Sequence, residues 1–185
     1  MLRLIACAAL ASVATVSAAS AADLYIPSEP MPIIESMGFD WEGLYAGAEL
    51  GGYFEEDSGS QVFVSGTVGY NFLVADPILL GLELEGTYYF ENEDDGLLEA
   101  GELMVNGRVG FLATESVLLY ALGGVGAVWF EDSDNDFTQY ALGVGIEAAV
   151  TESISLRGEV KGLGDFEDDD MFYGTNASVG VFFHF

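Results

Sequence analysis

Basic residues are almost absent from this chain, which carries 4 Lys and Arg against 31 Asp and Glu and a formal net charge of -27. One of the four cations, Arg3, lies near the N-terminus, and the other three are scattered singly along the chain. A surface that binds nucleic acid needs clustered Lys and Arg to neutralise phosphates. The composition therefore excludes nucleic acid as a partner.

The sequence has one cysteine, Cys7, and it lies close to the N-terminus. Cys7 lies in an apolar stretch that follows Arg3 and leads into the small residues 17–22. This order is typical of a secretory signal peptide, with cleavage after Ala21 or Ala22. We predict a signal peptide over residues 1–22, which leaves no cysteine for disulfide or thiol chemistry in the mature chain.

Beyond that segment, long hydrophobic runs are missing, although 51% of all residues are hydrophobic. No later run approaches the roughly 20 apolar residues that a membrane-spanning helix needs. A membrane crossing would therefore have to use β-strands, each of about ten residues. Because the chain is both acidic and hydrophobic, its charged and apolar residues must be segregated.

Alternation of apolar with small or polar residues provides that segregation. Val179, Val181, Phe183 and the terminal Phe185 share one face of a strand, because successive side chains point to opposite faces. The same period, bounded by turn residues, occurs eight times. We predict eight strands over residues 43–55, 61–73, 78–91, 101–114, 117–130, 138–151, 153–165 and 174–185.

The connections between these strands alternate between short turns and longer loops, as in a transmembrane barrel with an even number of strands. We predict short turns at residues 74–77, at residues 115–116 and at Glu152. The fold class is then all-β, an eight-stranded antiparallel transmembrane β-barrel over residues 41–185. Residues 23–40, which contain three of the four prolines, are predicted to be an extended periplasmic leader.

One face of the strands is apolar, and the other carries charged and polar residues interspersed with glycine. A soluble lipocalin-like barrel has the same period with its apolar face inward. Aromatic residues near the strand ends favour apolar-out, since membrane barrels carry aromatic girdles at both interfaces. The expected loop-side girdle includes Tyr53 and Tyr89, and the turn-side girdle includes Tyr120. Strand five is rich in Gly and Ala on both faces and cannot be oriented from the sequence.

Charged residues on the polar face are predicted to fill the barrel as one hydrogen-bonded network. An eight-stranded barrel is just wide enough for its interior side chains, and an unpaired buried charge is costly. All three mature cations lie on this face, and each is expected among carboxylates. The predicted interior network comprises Glu49, Glu83, Glu85, Glu102, Arg108, Glu147, Arg157, Glu159 and Lys161.

Acidic residues are concentrated in the four longer connections, around residues 55–57, 91–99, 131–136 and 165–170. Asp132, Asp134 and Asp136 have the spacing of the first half of a calcium-binding loop, but the glycine and the final glutamate of that loop are replaced by Phe137 and Gly143. They are weak metal candidates, and no dedicated metal site or cofactor is predicted. Divalent cations and lipopolysaccharide are the partners that such a rim would attract.

The single histidine, His184, argues against an enzyme. A Ser-His-acid site needs a hydroxyl within hydrogen-bond reach of the imidazole. The nearest serine in sequence on the same strand face is Ser178, roughly 20 Å away along an extended strand. We therefore expect His184 to be a structural residue inside the barrel, and no catalytic residues are predicted.

Several short motifs resemble the small porin-like outer membrane β-barrel proteins of alphaproteobacteria, which include rhizobial and brucella surface antigens. They are Ala22-Asp23 after the signal, Trp41-Glu42-Gly43-Leu44-Tyr45-Ala46-Gly47, Gly143-Val144-Gly145-Ile146-Glu147, Leu156-Arg157-Gly158-Glu159 and the terminal Phe185. The resemblance implies a porin-like or structural surface protein of the bacterial outer membrane. We expect a monomer with a mostly plugged interior; the alternative is a soluble secreted acidic β-barrel that binds a small ligand or calcium.

Overall fold

Eight antiparallel strands close into a barrel in the computed structural model, which describes residues 38–55, 59–90, 100–130, 133–166 and 171–185. The strands are β1 (Gly43–Glu55), β2 (Gly59–Ala75), β3 (Ile78–Tyr89), β4 (Ala100–Thr114), β5 (Val117–Phe130), β6 (Ser133–Ala149), β7 (Ile154–Asp165) and β8 (Gly174–His184). Each strand pairs with its neighbours in chain order, and β1 also pairs with β8. The fold class predicted from the sequence is confirmed. Residues 1–37, including the predicted signal peptide and most of the leader, lie outside the described part.

Short turns connect the strands at one end of the barrel. Asp76 and Pro77, joined by a cis peptide bond, link β2 to β3, and Glu115 and Ser116 link β4 to β5. The turn between β6 and β7 spans residues 150–153 and is longer than the single residue Glu152 that was predicted. The ladder ends here because the amides of Val150 and Thr151 both donate to the carbonyl of Ile154, which fixes a local turn.

β6 begins five residues earlier than predicted, at Ser133 in place of residue 138. The prediction assigned the acidic stretch to a loop because Asp is depleted in strands. In the structure the β5–β6 ladder continues to the pair Phe130 and Ser133, after a register shift between Val128 and Phe130. Cross-strand pairing therefore outweighs the low strand propensity of these aspartates.

Exposure alternates along the strands with a period of two. On β3, Leu82 is 60% exposed while Glu83 is 4% exposed, and the same alternation runs along β2 and β4. The apolar side chains thus form the outer surface and the polar ones line the interior. β5 is now oriented as well, with Leu118, Tyr120 and Leu122 buried.

The girdle assignment of three tyrosines was wrong. Tyr53, Tyr89 and Tyr120 point into the barrel and are at most 9% exposed. For Tyr53 and Tyr89 the prediction used closeness to strand ends and overlooked that both residues share the parity of the polar face. Tyr120 lies on β5, whose two faces the sequence does not distinguish. The exposed aromatic side chains lie at both ends of the outer surface, namely Phe54, Tyr88, Phe90, Trp129, Phe166 and Phe172 towards the loops, and Tyr70, Phe72, Phe111, Phe183 and Phe185 towards the turns.

Glycines on the interior face make room for these inward tyrosines. Tyr45 on β1 is directly opposite Gly69 on β2, and Tyr120 on β5 is opposite Gly145 on β6. A Cβ atom on either glycine would lie 2.3 Å from the Cζ atom of the facing tyrosine. The many glycines of the polar face therefore let large rings lie flat against the wall of a narrow barrel.

Candidate functional site

The interior of the barrel is the candidate site, because seven of its strands direct buried polar side chains towards the axis. Because side chains alternate between the two faces of a strand, the residues next to each outward apolar residue point into the barrel. All nine charged residues predicted for the network are at most 5% exposed, namely Glu49, Glu83, Glu85, Glu102, Arg108, Glu147, Arg157, Glu159 and Lys161.

Two arginines and two glutamates form the central ion layer, composed of Glu83, Arg108, Glu147 and Arg157. Arg157 contacts Glu83 at 2.9 Å and Glu147 at 3.0 Å. Arg108 contacts Glu147 at 3.1 Å and Glu83 at 3.4 Å. Each arginine therefore contacts both carboxylates. Because β3 and β7 are four strands apart in a closed barrel of eight, the Arg157–Glu83 pair spans the full width of the lumen.

Aromatic rings enclose the central ion layer. The guanidinium carbon of Arg157 lies 3.7 Å from the ring centre of Phe182, and that of Arg108 lies 4.6 Å from the ring centre of Tyr45. The Tyr45 hydroxyl donates to Glu83 at 2.6 Å, which satisfies a further carboxylate lone pair. Cation–π contacts and charge-assisted hydrogen bonds are strongest where water is excluded. The layer is thus both packed and paired.

A second group surrounds Lys161. Its ammonium lies 2.7 Å from both carboxylate oxygens of Glu85 on β3 and 3.4 Å from Glu159. Asn106 donates to Glu85 at 2.9 Å, and the Tyr120 hydroxyl donates to Glu159 at 2.5 Å. The Lys161–Glu85 pair also joins β7 to β3 across the barrel. Two separate ion pairs therefore connect the same opposite walls.

Glu49 and Glu102 differ from the other seven charged residues, since no salt bridge to a cation is found for either within the described residues. One oxygen of Glu102 accepts hydrogen bonds from Gln139 at 2.6 Å and from Tyr89 at 2.8 Å, whereas its other oxygen has no partner there. Glu49 likewise has an unpartnered buried oxygen, Oε1. The structure thus brings seven of the predicted residues into ion pairs and leaves two glutamates beside them.

His184 belongs to a cluster that sequence reasoning missed. Its Nε2 atom lies 3.1 Å from Ser155 Oγ and 3.0 Å from Glu147 Oε1. Ser155 is on the neighbouring strand β7, and its hydroxyl donates directly to Glu147 Oε1 at 2.5 Å. The sequence prediction considered only Ser178, which lies on the same strand as His184. Ser155 shares the inward parity of Arg157, so a search across strands would have found it.

This Ser155–Glu147–His184 cluster does not have the geometry of a nucleophilic triad. In a triad one imidazole nitrogen accepts the serine proton and the other donates to the acid. Here the same nitrogen contacts both partners, and the serine proton is directed to the carboxylate. Glu147 also contacts both arginines. The arrangement gives the buried Glu147 carboxylate two further partners, Ser155 and His184.

The three weak metal candidates lie at or beyond the edge of what the structure describes. Asp132 is outside the described residues. Asp134 and Asp136 lie in β6, and only their backbone is described. Elsewhere in the described chain, no group of three or more His, Cys, Asp or Glu side chains is arranged to hold a metal ion. A membrane-crossing helix is also not found among these residues.

Comparison with known structures shows similarity to small barrels of bacterial outer membranes. The N-terminal β-barrel domain of Pseudomonas aeruginosa OprF matches with a TM-score of 0.56 and 19% identity, covering 76% of this chain and 97% of that one. Neisserial surface protein A matches with a TM-score of 0.51 and 16% identity over 77% and 96%. At these identities the similarity establishes the fold alone.

The outer membrane enzyme PagL has the same fold, with a TM-score of 0.51 and 12% identity over 76% of this chain and 99% of that one. No curated protein matches the sequence.

Residues 6–185 match the family model of the outer membrane protein β-barrel domain. The chain therefore belongs to the outer membrane β-barrel family and is located in the bacterial outer membrane, which overturns the soluble secreted alternative.

Proposed function

We propose that this protein is a structural surface protein of the outer membrane whose lumen is closed to diffusion. The observation that carries the proposal is the central ion layer, in which Arg157 and Glu83 meet across the barrel at 2.9 Å. Opening a continuous path would separate buried opposite charges, and the loss of one partner from such a pair typically costs about 3–5 kcal/mol. The lumen of an eight-stranded barrel has no spare width to bypass the pair.

Single-channel recording in a planar bilayer tests this proposal. The refolded protein is expected to give no reproducible conductance steps. Heat-dependent mobility on gels checks that each sample is folded. Reproducible cation-selective steps from the unmodified protein, reduced by Glu49→Gln or Glu147→Gln, would contradict the closed lumen and support a small porin-like pore.

The role is proposed to be non-enzymatic. Support comes from the Ser155–Glu147–His184 cluster, in which one imidazole nitrogen contacts both the serine hydroxyl and the carboxylate. Ser155 and Glu147 are fully buried, so a substrate does not reach the hydroxyl in this structure. Incubation with lipopolysaccharide should release no fatty acid. Release that is abolished by Ser155→Ala would refute this part of the proposal.

We assign residues 1–22 to a removed signal peptide and residues 23–40 to a periplasmic leader in this proposal, and the barrel acts as a monomer. The finer similarity to alphaproteobacterial surface antigens is part of the same proposal and rests on the sequence motifs.

The acidic segments 91–99 and 165–170 are proposed to bind divalent cations that bridge to lipopolysaccharide phosphates. Binding of the folded protein to lipopolysaccharide should then fall when calcium and magnesium are chelated, and binding that persists would contradict the bridge.

A further inference from the structure

The residues that precede β1 cross the barrel mouth at the end that carries the short turns. The Trp41 indole N–H donates to the backbone carbonyl of Glu115 at 3.0 Å, and Glu115 lies in the turn between β4 and β5. In the closed strand order β1 and β5 are on opposite sides of the barrel. Trp41 therefore spans the opening from one wall to the other. This end faces the periplasm, because the short turns of such barrels do.

The same segment is fastened to β2 on its other side. Asn71 donates from Nδ2 to the backbone carbonyl of Trp41 at 2.9 Å, and the amide of Leu73 donates to the Glu42 carboxylate at 3.1 Å. Asn71 also accepts two hydrogen bonds from Arg108 through Oδ1. One amide side chain thus connects the mouth-crossing segment to the central ion layer.

An apolar layer seals the space around Trp41, which is only 4% exposed. Trp41 belongs to a buried cluster with Leu79 on β3 and Leu118 on β5, and Phe39 packs against that cluster. The ring centres of Phe39 and Trp41 are 4.5 Å apart. These side chains lie between the periplasm and the polar interior.

The layer covers the Ser155–Glu147–His184 cluster. The imidazole of His184 has its ring centre 4.7 Å from that of Phe39 and 5.7 Å from that of Trp41. Since His184 ends β8 beside the short β6–β7 turn, its imidazole would face the periplasm if these two rings were absent. Together with Leu79 and Leu118, the aromatic pair therefore separates the cluster from water.

We propose that residues 38–41 form an intrachain plug that closes the periplasmic mouth and can be displaced without unfolding the barrel. Residues 38–40 belong to no strand, and Trp41 precedes β1, so the eight-strand ladder does not depend on them. The plug is a second closure, separate from the central ion layer. Its displacement exposes the histidine cluster to the periplasm while the lumen beyond the ion layer stays shut. This inference stands whether or not the lumen conducts.

Thiol accessibility at position 155 tests the plug. In a Cys7→Ser background, Ser155→Cys gives a single buried thiol behind the plug. A small water-soluble thiol reagent should modify it slowly in the parent and about tenfold faster or more when Trp41→Ala is added, since the rate follows the population of the open form. Trp129→Ala is the matched control, because Trp129 is exposed on the outer face and should leave the rate unchanged. Equal rates in all three proteins would overturn the proposal.

A second measurement does not depend on the folding of the Trp41→Ala variant. Trp129→Phe leaves Trp41 as the only tryptophan in the chain. Its fluorescence should resist quenching by acrylamide in the folded barrel and become fully quenchable after unfolding in urea. Free quenching in the folded state would overturn the plug. Conductance separates the two proposals, since Trp41→Ala should stay silent in a bilayer if the central ion layer closes the lumen.

Discussion

Glu83 on β3 and Arg157 on β7 meet across the barrel with 2.9 Å between Oε1 and Nη1. β3 and β7 are not neighbours in the sheet, because three strands separate them in either direction around the barrel. The side-chain contact therefore joins two opposite walls directly. Glu83 also contacts Arg108, and Arg157 also contacts Glu147. The four charges alternate in sign, which lets each ion be stabilised by two neighbours where water is excluded.

Removing the charge of Glu147 should destabilise the barrel strongly. Glu147→Gln keeps the size of the side chain but leaves Arg108 and Arg157 with one carboxylate between them. Loss of one partner from a buried ion pair costs about 3–5 kcal/mol in the free energy of unfolding. Equilibrium unfolding in urea, followed in detergent or lipid, measures the difference.

Glu152→Gln is the control for that experiment, because Glu152 is an exposed residue of the β6–β7 turn. Its change in unfolding free energy should stay within about 0.5 kcal/mol, as for most surface substitutions. A loss of less than about 1 kcal/mol for Glu147→Gln would show that the ion layer contributes little to stability.

The same substitution at Glu49 should have the opposite effect. Glu49 is 3% exposed, has an unpartnered Oε1 oxygen and forms no salt bridge within the described residues. A buried charge without a partner is costly, so its neutral isostere should fold equally well or better. We expect Glu49→Gln to leave the urea midpoint unchanged or raise it. A decrease as large as that of Glu147→Gln would mean that Glu49 has a stabilising partner.

On every strand except β5, the inward and outward faces could be predicted from the sequence, but side-chain pairing could not. Alternation alone assigned Glu83, Arg108 and Arg157 to the same interior. Which carboxylate each cation contacts depends on register and on the closure of β1 onto β8, and neither has a local signal. Contacts between β3 and β7 join residues more than 70 positions apart, as for Lys161 and Glu85.

The missed features have the same origin. Ser155 was overlooked because its partner His184 is on the next strand, where the register alone brings the two together. Trp41 was recognised as part of a motif, but its hydrogen bond to Glu115 spans 74 positions of the chain. The early start of β6 depended on pairing with β5, which compensates for aspartates that locally disfavour a strand.

The depth of lipid-facing residues determines the effect of adding a charge. Leu84, near the middle of β3, is opposite Val68 and Val105 and is half exposed on the outer face. Leu84→Arg should cost about 2–4 kcal/mol in the free energy of unfolding, the value for the bilayer midplane. Phe72→Arg, at the turn end and equally exposed, should cost about 0–1 kcal/mol for the charge in addition to the lost aromatic contacts.

Refolding both variants into lipid vesicles and titrating with urea gives these differences. The cost of the arginine at each position is read against the alanine variant of that position, Leu84→Ala or Phe72→Ala. This comparison separates the loss of the original side chain from the added charge. If Leu84→Arg is no more harmful than Phe72→Arg after this correction, Leu84 does not lie near the bilayer centre.

Two glycines on β2 should respond differently to the same added methyl group. Gly69 lies under the Tyr45 ring, and a Cβ atom there would be 2.3 Å from the tyrosine Cζ and hydroxyl oxygen. Tyr45 cannot move aside freely, because its hydroxyl donates to Glu83 and its ring lies against Arg108. Gly69→Ala should therefore cost about 1–3 kcal/mol, as overpacking of a well-filled interior does.

Gly66 is the matched control, since it lies three residues earlier on the outer face and a Cβ atom there meets nothing within 4 Å. Gly66→Ala should be neutral or stabilising by up to about 1 kcal/mol, because alanine loses less backbone entropy in a strand. The urea midpoints of the two variants give the comparison directly. Equal stability would mean that Tyr45 can leave its position over Gly69, and the Tyr45–Glu83 hydrogen bond would then not hold the central ion layer in place.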